Sequence, residues 1–397
     1  MTDINDLSFD DILSPIGVEE FFAEYHDQKP LHIHGAGSKF SSLMNWDKLN
    51  GLLNMTAIWT PASLQLVRNG EIVSPGQYCR PSVDAEGKRQ LRPEAGAVTT
   101  LLKQGASLVA NDIDTLTPEL AAIADALEAS LNGKAQTNLY CSWRERRAFN
   151  SHFDTHDVYA IHTLGEKVWR IYEGRLDNPI AHSRFKNFGH EYHEQHKGRV
   201  AAEITMQPGD LLYIPRGQYH DALASTDGTI HVSFGVTAPI GLDVLTLLYD
   251  QAIADPLFRT NLPRPSDSAA VANHLATLGK HLSDITRQPK TQEILAKFRG
   301  DFRYQRGGFA LPVVPATAAY LVAGSGLKMK RSGAGWVLTS NKVTVPIPPD
   351  FEEHVRWIIA RKQFSSVELG LAFPATTAPG IEVLLTDLSA MKVIQLI

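Results

Sequence analysis

The residues best suited to chemistry are His152 and Asp154, two positions apart at the start of a β-like run. In a strand, alternate side chains share a face, so this imidazole and carboxylate can point at one cation while Phe153 faces the opposite way. A third ligand, His220, is expected at the end of a turn, an apolar strand and a second turn that begin at Gly209. Two histidines and one carboxylate on one side of a metal leave positions open for a cosubstrate and oxygen, as in non-haem Fe(II) chemistry.

A lysine follows His152 at a spacing that suits the same site. Lys167 lies 15 residues further on, just past the turn Gly165-Glu166, at the start of the next β-like run. On an adjacent strand of a barrel, its ammonium group would reach the cavity and bind the distal carboxylate of a dicarboxylic cosubstrate. The alternative is an exposed lysine at the end of a strand.

Other histidines offer further alternatives. His231 is a rival third ligand because it also lies in a β-like run, but it lacks the turn and apolar strand that precede His220. His156 and His162 share the parity of His152, and we expect them to be core histidines or to support the ligands. Three further histidines at i, i+3 and i+6 would not share one face of a helix, so we expect them to lie in an exposed polar loop: His190, His193 and His196.

Composition limits the class of protein. The chain has 397 residues, 43% of them hydrophobic and 20% charged, which predicts two or three folded domains. Its net charge of −5 argues against nucleic-acid binding driven by overall positive charge. Two cysteines, an acidic first stretch and the lack of any apolar run of about 18 residues predict a cytoplasmic protein without a membrane span.

The pattern of apolar residues changes along the chain. Residues 17–53 read as helices with a short strand at Lys29–His34, and a helix is predicted from Pro118 to Leu131. Between residues 137 and 237, short apolar bursts bounded by turn signals predict a closed or double-sheet β architecture. Residues 241–302 then have apolar residues at helical spacing.

These motifs resemble the JmjC-type 2-oxoglutarate oxygenases, and within them the ribosomal-oxygenase group of protein hydroxylases. The matching blocks are NLYCSWRERRAFNSHFDTHDVYAIHTLGEKVWRIYEG and MQPGDLLYIPRGQYHDALAS. The resemblance implies that the metal ligands are His152, Asp154 and His220 and that Lys167 anchors the C5 carboxylate of 2-oxoglutarate. It also implies that three further residues face the cosubstrate and substrate pocket: Asn138, Tyr140 and Ser233.

The resemblance also implies an architecture of the α+β class. A double-stranded β-helix, the jelly-roll or cupin barrel of JmjC proteins, would occupy residues 1–240 together with N-terminal α+β elements. A helical dimerisation segment over 241–305 and a winged-helix-like domain over 306–397 would follow. A homodimer is therefore expected.

The function that the resemblance implies is hydroxylation of a ribosomal-protein side chain, arginine or histidine, with Fe(II), 2-oxoglutarate and O2. Two alternatives stay open. One keeps the cofactors but takes a small peptide or an RNA nucleoside as substrate. The other is a non-catalytic sensor in which the winged helix acts and the barrel only binds a ligand.

Two charged segments bear on partners. Arg144–Arg147 precedes the HxD motif and is expected to be a loop near the mouth of the site, for substrate recognition or only as a solvated turn. Residues 306–397 carry nine basic and six acidic residues, a net charge of +3. Contact with nucleic acid through this segment is an open hypothesis.

Overall fold

The computed structural model describes residues 7–83, 87–143, 149–306, 318–323, 326–333, 335–339 and 344–397. The chain divides into two compact units, Met1–Arg306 and Gly307–Ile397, each with its own hydrophobic core. The charged segment Arg144–Arg147 lies outside the described residues.

Short helices and strands come before the barrel. Helix α5 begins with a proline at its first position, and the Thr117 hydroxyl accepts a hydrogen bond from the backbone N–H of Leu120, which caps the helix. The elements in chain order are α1 (Phe9–Leu13), α2 (Val18–Glu24), β1 (Leu31–Ile33), α3 (Trp46–Asn54), β2 (Leu64–Arg68), β3 (Glu71–Ile72), β4 (Cys79–Val83), β5 (Arg89–Pro93), α4 (Ala95–Lys103), β6 (Ser107–Ala110) and α5 (Pro118–Leu131).

The barrel is built from two antiparallel sheets. One has eight strands in the order β1-β11-β8-β13-β7-β6-β2-β3, and the other has three in the order β10-β9-β12. Strands β4 and β5 form a separate hairpin. The remaining elements of this region are β7 (Lys134–Ser142), β8 (Asp157–Leu164), β9 (Lys167–Arg175), α6 (Ser183–Lys186), α7 (His190–His196), β10 (Val200–Met206), β11 (Leu211–Ile214), β12 (Gln218–Ala224) and β13 (Thr229–Thr237).

The central strands of the large sheet are buried on both faces. On β8, Tyr159 and Ile161 pack in the cluster that contains the N-terminal helices, whereas Val158 and Ala160 pack against Trp169 of β9 and other residues of the small sheet. This division follows directly from the two-residue period of a strand. One face of the sheet is therefore covered by helices, and the other face lines the barrel interior.

Three helices follow the barrel: α8 (Gly241–Ala254), α9 (Ser268–Thr286) and α10 (Pro289–Asp301). Only a few of their side chains are buried, among them Leu248 and Ile285. Helix α8 leaves apolar side chains exposed at a spacing that puts them on one face: Leu242, Leu245, Tyr249 and Ile253.

The end of the first unit is fixed by an ion-pair network. The guanidinium group of Arg306 is nearly buried and donates to Asp114 at 2.8 Å and to Glu128 at 2.7 Å. Desolvation opposes its charge, but these carboxylates raise the pKa of Arg306 above the ordinary value. Glu128 lies on α5, and Asp114 lies between β6 and α5. The network therefore ties residues 302–306 to the barrel unit.

The second unit combines two three-stranded antiparallel sheets, β18-β14-β19 and β15-β16-β17, with helices that pack on them. Its core contains Val355, Ile358, Leu369 and Leu384. The elements are β14 (Ala319–Val322), β15 (Lys328–Ser332), β16 (Gly335–Thr339), β17 (Thr344–Ile347), α11 (Glu352–Ile359), β18 (Gln363–Ser365), α12 (Ser366–Ala372), α13 (Ala378–Ala390) and β19 (Ile394–Leu396).

Most of the predicted elements are confirmed, with three differences. The short strand near residue 31, the Pro118 helix, the strand-rich region and the helices after residue 241 are present. The HxD motif, however, precedes β8 instead of starting it, and His220 lies inside β12, not at the end of a turn. Residues 190–196 form the helix α7 where a polar loop was expected.

In the part of the chain that the structure describes, no helix is long and apolar enough to cross a membrane.

The crossing of two loops at the edge of the large sheet predicts a stability effect. A Cβ atom on Gly35 would overlap the carbonyl oxygen of Gly209, which is backbone and cannot move aside cheaply. We expect Gly35→Ala to lower the free energy of unfolding by about 1–3 kcal/mol or more in a denaturant titration. Gly51→Ala, in open space on α3, is the matched control and should be neutral or slightly stabilising.

Candidate functional site

Strand parity gathers the predicted site residues around one cavity of about 270 Å3. Residues of β7 and β13 alternate between the helix-covered face and the cavity, so Leu139 and Val232 pack in the core while Tyr140 and Ser233 line the opening. Every residue predicted for the site lies on this cavity: Asn138, Tyr140, His152, Asp154, Lys167, His220 and Ser233.

The two candidate histidine ligands are brought together by backbone hydrogen bonds. His152 and His220 form an antiparallel β-bridge, with N–H to carbonyl distances of 3.1 and 2.8 Å. The carbonyl oxygen of Asp154 accepts a third bond, from the backbone N–H of Gly217 at 2.9 Å. The segment that carries the HxD motif is therefore aligned on the start of β12 before any ion binds.

The side-chain atoms of these three residues converge. The Asp154 Oδ2 atom lies 3.5 Å from His220 Nε2 and 4.0 Å from His152 Nε2. All three candidate ligand atoms lie within 4.8 Å of one another. This spacing suits a single cation in the middle. Phe153 points to the other side, as predicted, and packs on Tyr219.

Hydrogen bonds on the far side of each imidazole fix the tautomer. His152 Nδ1 lies 2.8 Å from the carbonyl oxygen of Asn150, and His220 Nδ1 lies 3.0 Å from that of Gln218. A carbonyl oxygen only accepts, so each Nδ1 carries the proton and each Nε2 has a free lone pair. Both lone pairs belong to the atoms that face Asp154.

The electrostatics favour an ionised Asp154 carboxylate beside a neutral His220 imidazole. Burial alone would raise the pKa of Asp154, but His152, His156 and His220 together bring it below its ordinary value. Burial and the proximity of His152 lower the pKa of His220 to about 4. These are the protonation states that metal binding requires. One carboxylate and two imidazoles are a donor set that suits a divalent first-row transition ion.

Lys167 is a buried cation without an acidic partner among the described residues. It is 2% exposed, and the hydrogen bond found for its ammonium group goes to His231 Nδ1 at 3.3 Å. Desolvation lowers the pKa of Lys167 to about 7. An uncompensated ammonium group at the wall of a cavity is a ready-made site for an anionic group, which fits the carboxylate of a dicarboxylic cosubstrate.

His231 lies with Lys167 rather than with the three candidate ligands. Its ring stacks on Tyr140 with centroids 4.8 Å apart and an interplanar angle of 6°. It does not belong to the group of converging ligand atoms found among the described residues. The geometry therefore favours His220 over His231 as the third candidate ligand.

The other predicted lining residues lie on neighbouring strands. Asn138 and Ser233 are opposite each other in the β7–β13 pairing, and the Asn138 Oδ1 atom accepts a bond from the backbone N–H of Asp112 at 3.1 Å. Burial and the charge of Asp154 raise the pKa of Tyr140, whose phenol stays protonated. These groups add neutral polar atoms to the cavity wall.

His156 and His162, which share the strand parity of His152, lie in different parts of the structure. His156 lines the cavity, next to Gly235, where a Cβ atom would lie 2.5 Å from its ring. His162 is buried away from the cavity, with Nε2 2.9 Å from the carbonyl oxygen of Gly165. Sequence parity could not separate them because both share one side of the chain around β8, and the six positions from one to the other, about 20 Å along a strand, decide which one reaches the cavity.

Residues 111–244 match the family model of the JmjC domain. This part of the chain is similar to the JmjC domain. The resemblance that the HxD and GDLLYIP motifs predicted is confirmed, as is the α+β fold with its large antiparallel sheet. A solved structure of Escherichia coli ycfD shares the fold, with a TM-score of 0.50 and 16% identity over 96% of this chain and 98% of that chain.

Two curated proteins are similar in sequence to this chain. The chain is 29% identical over 322 residues to Ribosomal oxygenase 2 of Bos taurus, covering 75% of this chain and 64% of that protein. It is 23% identical over 224 residues to the bifunctional lysine-specific demethylase and histidyl-hydroxylase NO66 of Dictyostelium discoideum, covering 56% of this chain and 41% of that protein. The chain thus spans less than two thirds of the length of either relative.

Sequence reasoning missed the packing behind the JmjC site. Helix α7 lies against the residues next to the candidate ligands: His193 contacts the rings of Phe153 and Tyr219, and Ser151 Oγ donates to Glu194 at 3.2 Å. No periodicity in the sequence indicates this contact between α7 and the site. Trp169 of the cavity wall was also missed, although its position two residues after Lys167 on β9 could have indicated it.

The buried ammonium group predicts a pH-dependent stability. Between pH 7 and about 10, unfolded Lys167 binds a proton that the folded protein excludes, so the free energy of unfolding should rise with pH over this window. Lys167→Met removes the cost of burying the charge. We expect it to raise the free energy of unfolding at pH 6 by on the order of 2–5 kcal/mol, and this gain should shrink towards pH 10.

Denaturant titrations at several pH values check this expectation. Lys103→Met, at an exposed position on α4, is the matched control and should track the wild type. A constant difference between Lys167→Met and wild type from pH 6 to 10 would contradict the buried-charge account.

Proposed function

We propose that this chain is an Fe(II)- and 2-oxoglutarate-dependent dioxygenase that hydroxylates an arginine or histidine side chain of a ribosomal protein. The observation that carries the proposal is the pairing of two features in one cavity. Three ligand atoms converge on one side, and the ammonium group of Lys167, which has no acidic partner among the described residues, lies in the same wall.

The residues of the chain would divide the work of this reaction. His152, Asp154 and His220 would hold the metal through two Nε2 atoms and a carboxylate oxygen, which leaves the remaining coordination positions open to the cavity. Fe(II) with 2-oxoglutarate and O2 supplies the oxidising chemistry when bound. The fixed tautomers of the two histidines remove the need for reorganisation when the ion arrives.

Lys167 would bind the distal carboxylate of 2-oxoglutarate. Bound there, the anion would restore the charge balance that burial disturbs and would favour the protonated ammonium group. His231 would hold the ammonium group in place from behind, and its stacking on Tyr140 keeps the imidazole from turning. Apolar wall residues such as Val158 and Ala222 would exclude water.

The substrate proposal rests on the names of the relatives. The names Ribosomal oxygenase 2 and histidyl-hydroxylase NO66 support a ribosomal protein and a histidine side chain, and arginine is the other side chain that the family resemblance implies. A small peptide, an RNA nucleoside, and a sensor without catalysis are the competing outcomes of the experiment below.

We also propose the domain division at 1–240, 241–305 and 306–397, with a winged-helix-like last domain. The mixture of two small sheets with α11, α12 and α13 supports this assignment, and the helices α8 to α10 support a separate segment. We further propose a homodimer formed by that helical segment and a cytoplasmic location. Exposed apolar side chains on one face of α8 support the former, and two buried, unpaired cysteines support the latter.

The first experiment measures succinate from 2-oxoglutarate. Protein loaded anaerobically with Fe(II) is exposed to oxygen with and without a total ribosomal-protein extract, and the extract is then analysed by intact mass. We expect turnover that the extract stimulates and a gain of one oxygen atom on one protein. Asp154→Ala should lose nearly all turnover, because an anionic ligand is gone, whereas Asp250→Ala, an exposed acid on α8, should keep it.

The other outcomes are equally informative. Turnover without a change of mass in any ribosomal protein would favour a small peptide or an RNA nucleoside as the substrate. No turnover with iron demonstrably bound would favour the sensor. Near wild-type turnover by Asp154→Ala would contradict the assignment of the metal ligands.

The dimer proposal predicts a change of mass in solution. Leu245 is 53% exposed and Tyr249 is 67% exposed on the same face of α8. We expect Leu245→Glu to convert a dimer into a monomer in sedimentation or light-scattering measurements, because it puts a charge into a buried apolar interface. Lys103→Glu on α4 is the control and should leave the mass unchanged. A wild-type monomer would contradict the proposal.

A further inference from the structure

A second cluster of two histidines and an aspartate lies at the edge of the large sheet, apart from the JmjC cavity. His32 is in β1, His34 follows β1, and Asp210 precedes β11. The Asp210 Oδ2 atom lies 3.0 Å from His32 Nε2 and 3.8 Å from His34 Nδ1, and all three ligand atoms lie within 4.8 Å of one another. None of these residues lines the cavity of the first site.

The backbone fixes the two halves of this cluster against each other. Strand β1 pairs with β11 in the register His32 to Leu212, and His32 and His34 are two residues apart, so their side chains share a side of the chain. Immediately afterwards, the loops at Gly35 and Gly209 cross so closely that neither position has room for a Cβ atom. The cluster is therefore built on a rigid crossing of two chain segments.

Asp210 is a buried carboxylate that is held by backbone N–H groups and faces two histidines. It is 3% exposed and accepts backbone N–H bonds from Gly35 and Gln207, each at 3.0 Å. Burial opposes its charge, but these bonds and His32 bring the pKa of Asp210 below its ordinary value. Among the described residues, the ion-pair partners of this carboxylate are the two histidines, with no lysine or arginine.

The spacing of the three ligand atoms matches that of a small divalent ion. Bonds of 2.0–2.2 Å to nitrogen and oxygen in a tetrahedral site put neighbouring ligand atoms about 3.4 Å apart. The two observed distances, 3.0 and 3.8 Å, lie on either side of that value. The side chain of His34 is 82% exposed, so it can turn towards an ion, and the open side leaves room for water as a further ligand.

We propose that His32 Nε2, His34 Nδ1 and Asp210 Oδ2 bind one divalent transition-metal ion of the zinc class, separate from the ion of the JmjC cavity. On binding, the proton of His32 moves from Nε2 to Nδ1 by exchange with solvent, which frees the Nε2 lone pair for the ion, and the charge of the ion neutralises the buried carboxylate. The backbone N–H groups of Gly35 and Gln207 stay on the carboxylate and orient it. The bound ion then ties β1 to the turn that leads into β11.

This inference does not depend on the oxygenase proposal, and the experiment keeps the two apart. The full chain with Asp154→Ala, which disables the first site, is titrated with zinc chloride by calorimetry. We expect one equivalent of zinc to bind. We also expect a rise in melting temperature and zinc-edge X-ray absorption showing nitrogen and oxygen neighbours at 2.0–2.2 Å.

The decisive variant is Asp154→Ala with His34→Ala. His34 is exposed, so its removal leaves the fold intact, and we expect zinc affinity to fall at least 10-fold and the thermal shift to disappear. His190→Ala in the same background removes an exposed histidine of α7 and should keep the full equivalent. Failure of the Asp154→Ala protein to bind zinc would overturn the proposal. Unchanged zinc binding by the His34→Ala variant would overturn it too, leaving only a hydrogen bond between His32 and Asp210.

Discussion

The candidate metal centre depends on one piece of backbone pairing, the bridge between His152 and His220. Its two hydrogen bonds join residues 68 positions apart in the chain and place two ligand imidazoles side by side before an ion is present. The third bond, from Gly217 to Asp154, sets the carboxylate on the same side. If this pairing were lost, the candidate ligands would lie on two unconnected segments, and binding the ion would have to offset the entropy of ordering them.

The other residues of the cavity wall depend on the division of the large sheet into two faces. Helices α1 to α5 cover one face, so every second residue of β7, β8 and β13 is committed to the core. The intervening residues can then be polar without opening the core, and this is where Asn138, Tyr140 and Ser233 lie. A one-residue slip in register would send these polar groups into the apolar layer, which makes the register strongly specified.

The sequence predicted those parts of the site that depend on alternation and on the two motif blocks. The shared side of His152 and Asp154 and the position of Lys167 at a strand start followed from local spacing. Two kinds of feature could not be predicted from the sequence. Whether residues 152–156 continue β8 is decided by pairing with the distant β12, and the packing of α7 behind Phe153 is a tertiary contact without a periodic signal. The sequence favoured His220 over His231 through the turn and apolar strand that precede His220, and the converging ligand atoms of the structure favour the same choice.

Lys167 shows most directly why the cavity is a site and not a packing defect. A lysine amine at the cavity wall, with its charge half removed at neutral pH, costs the unliganded protein stability that a methionine would not. Its neighbours do not repair this: the Nδ1 atom of His231 is neutral, and Cys141 is a thiol with a pKa raised to about 12 by burial. Such a cost is offset only when an anion arrives. The candidate metal ligands alone would suit many binding proteins, but three converging ligand atoms and a buried amine without an acidic partner among the described residues together favour a ligand that is both a chelator and a carboxylate.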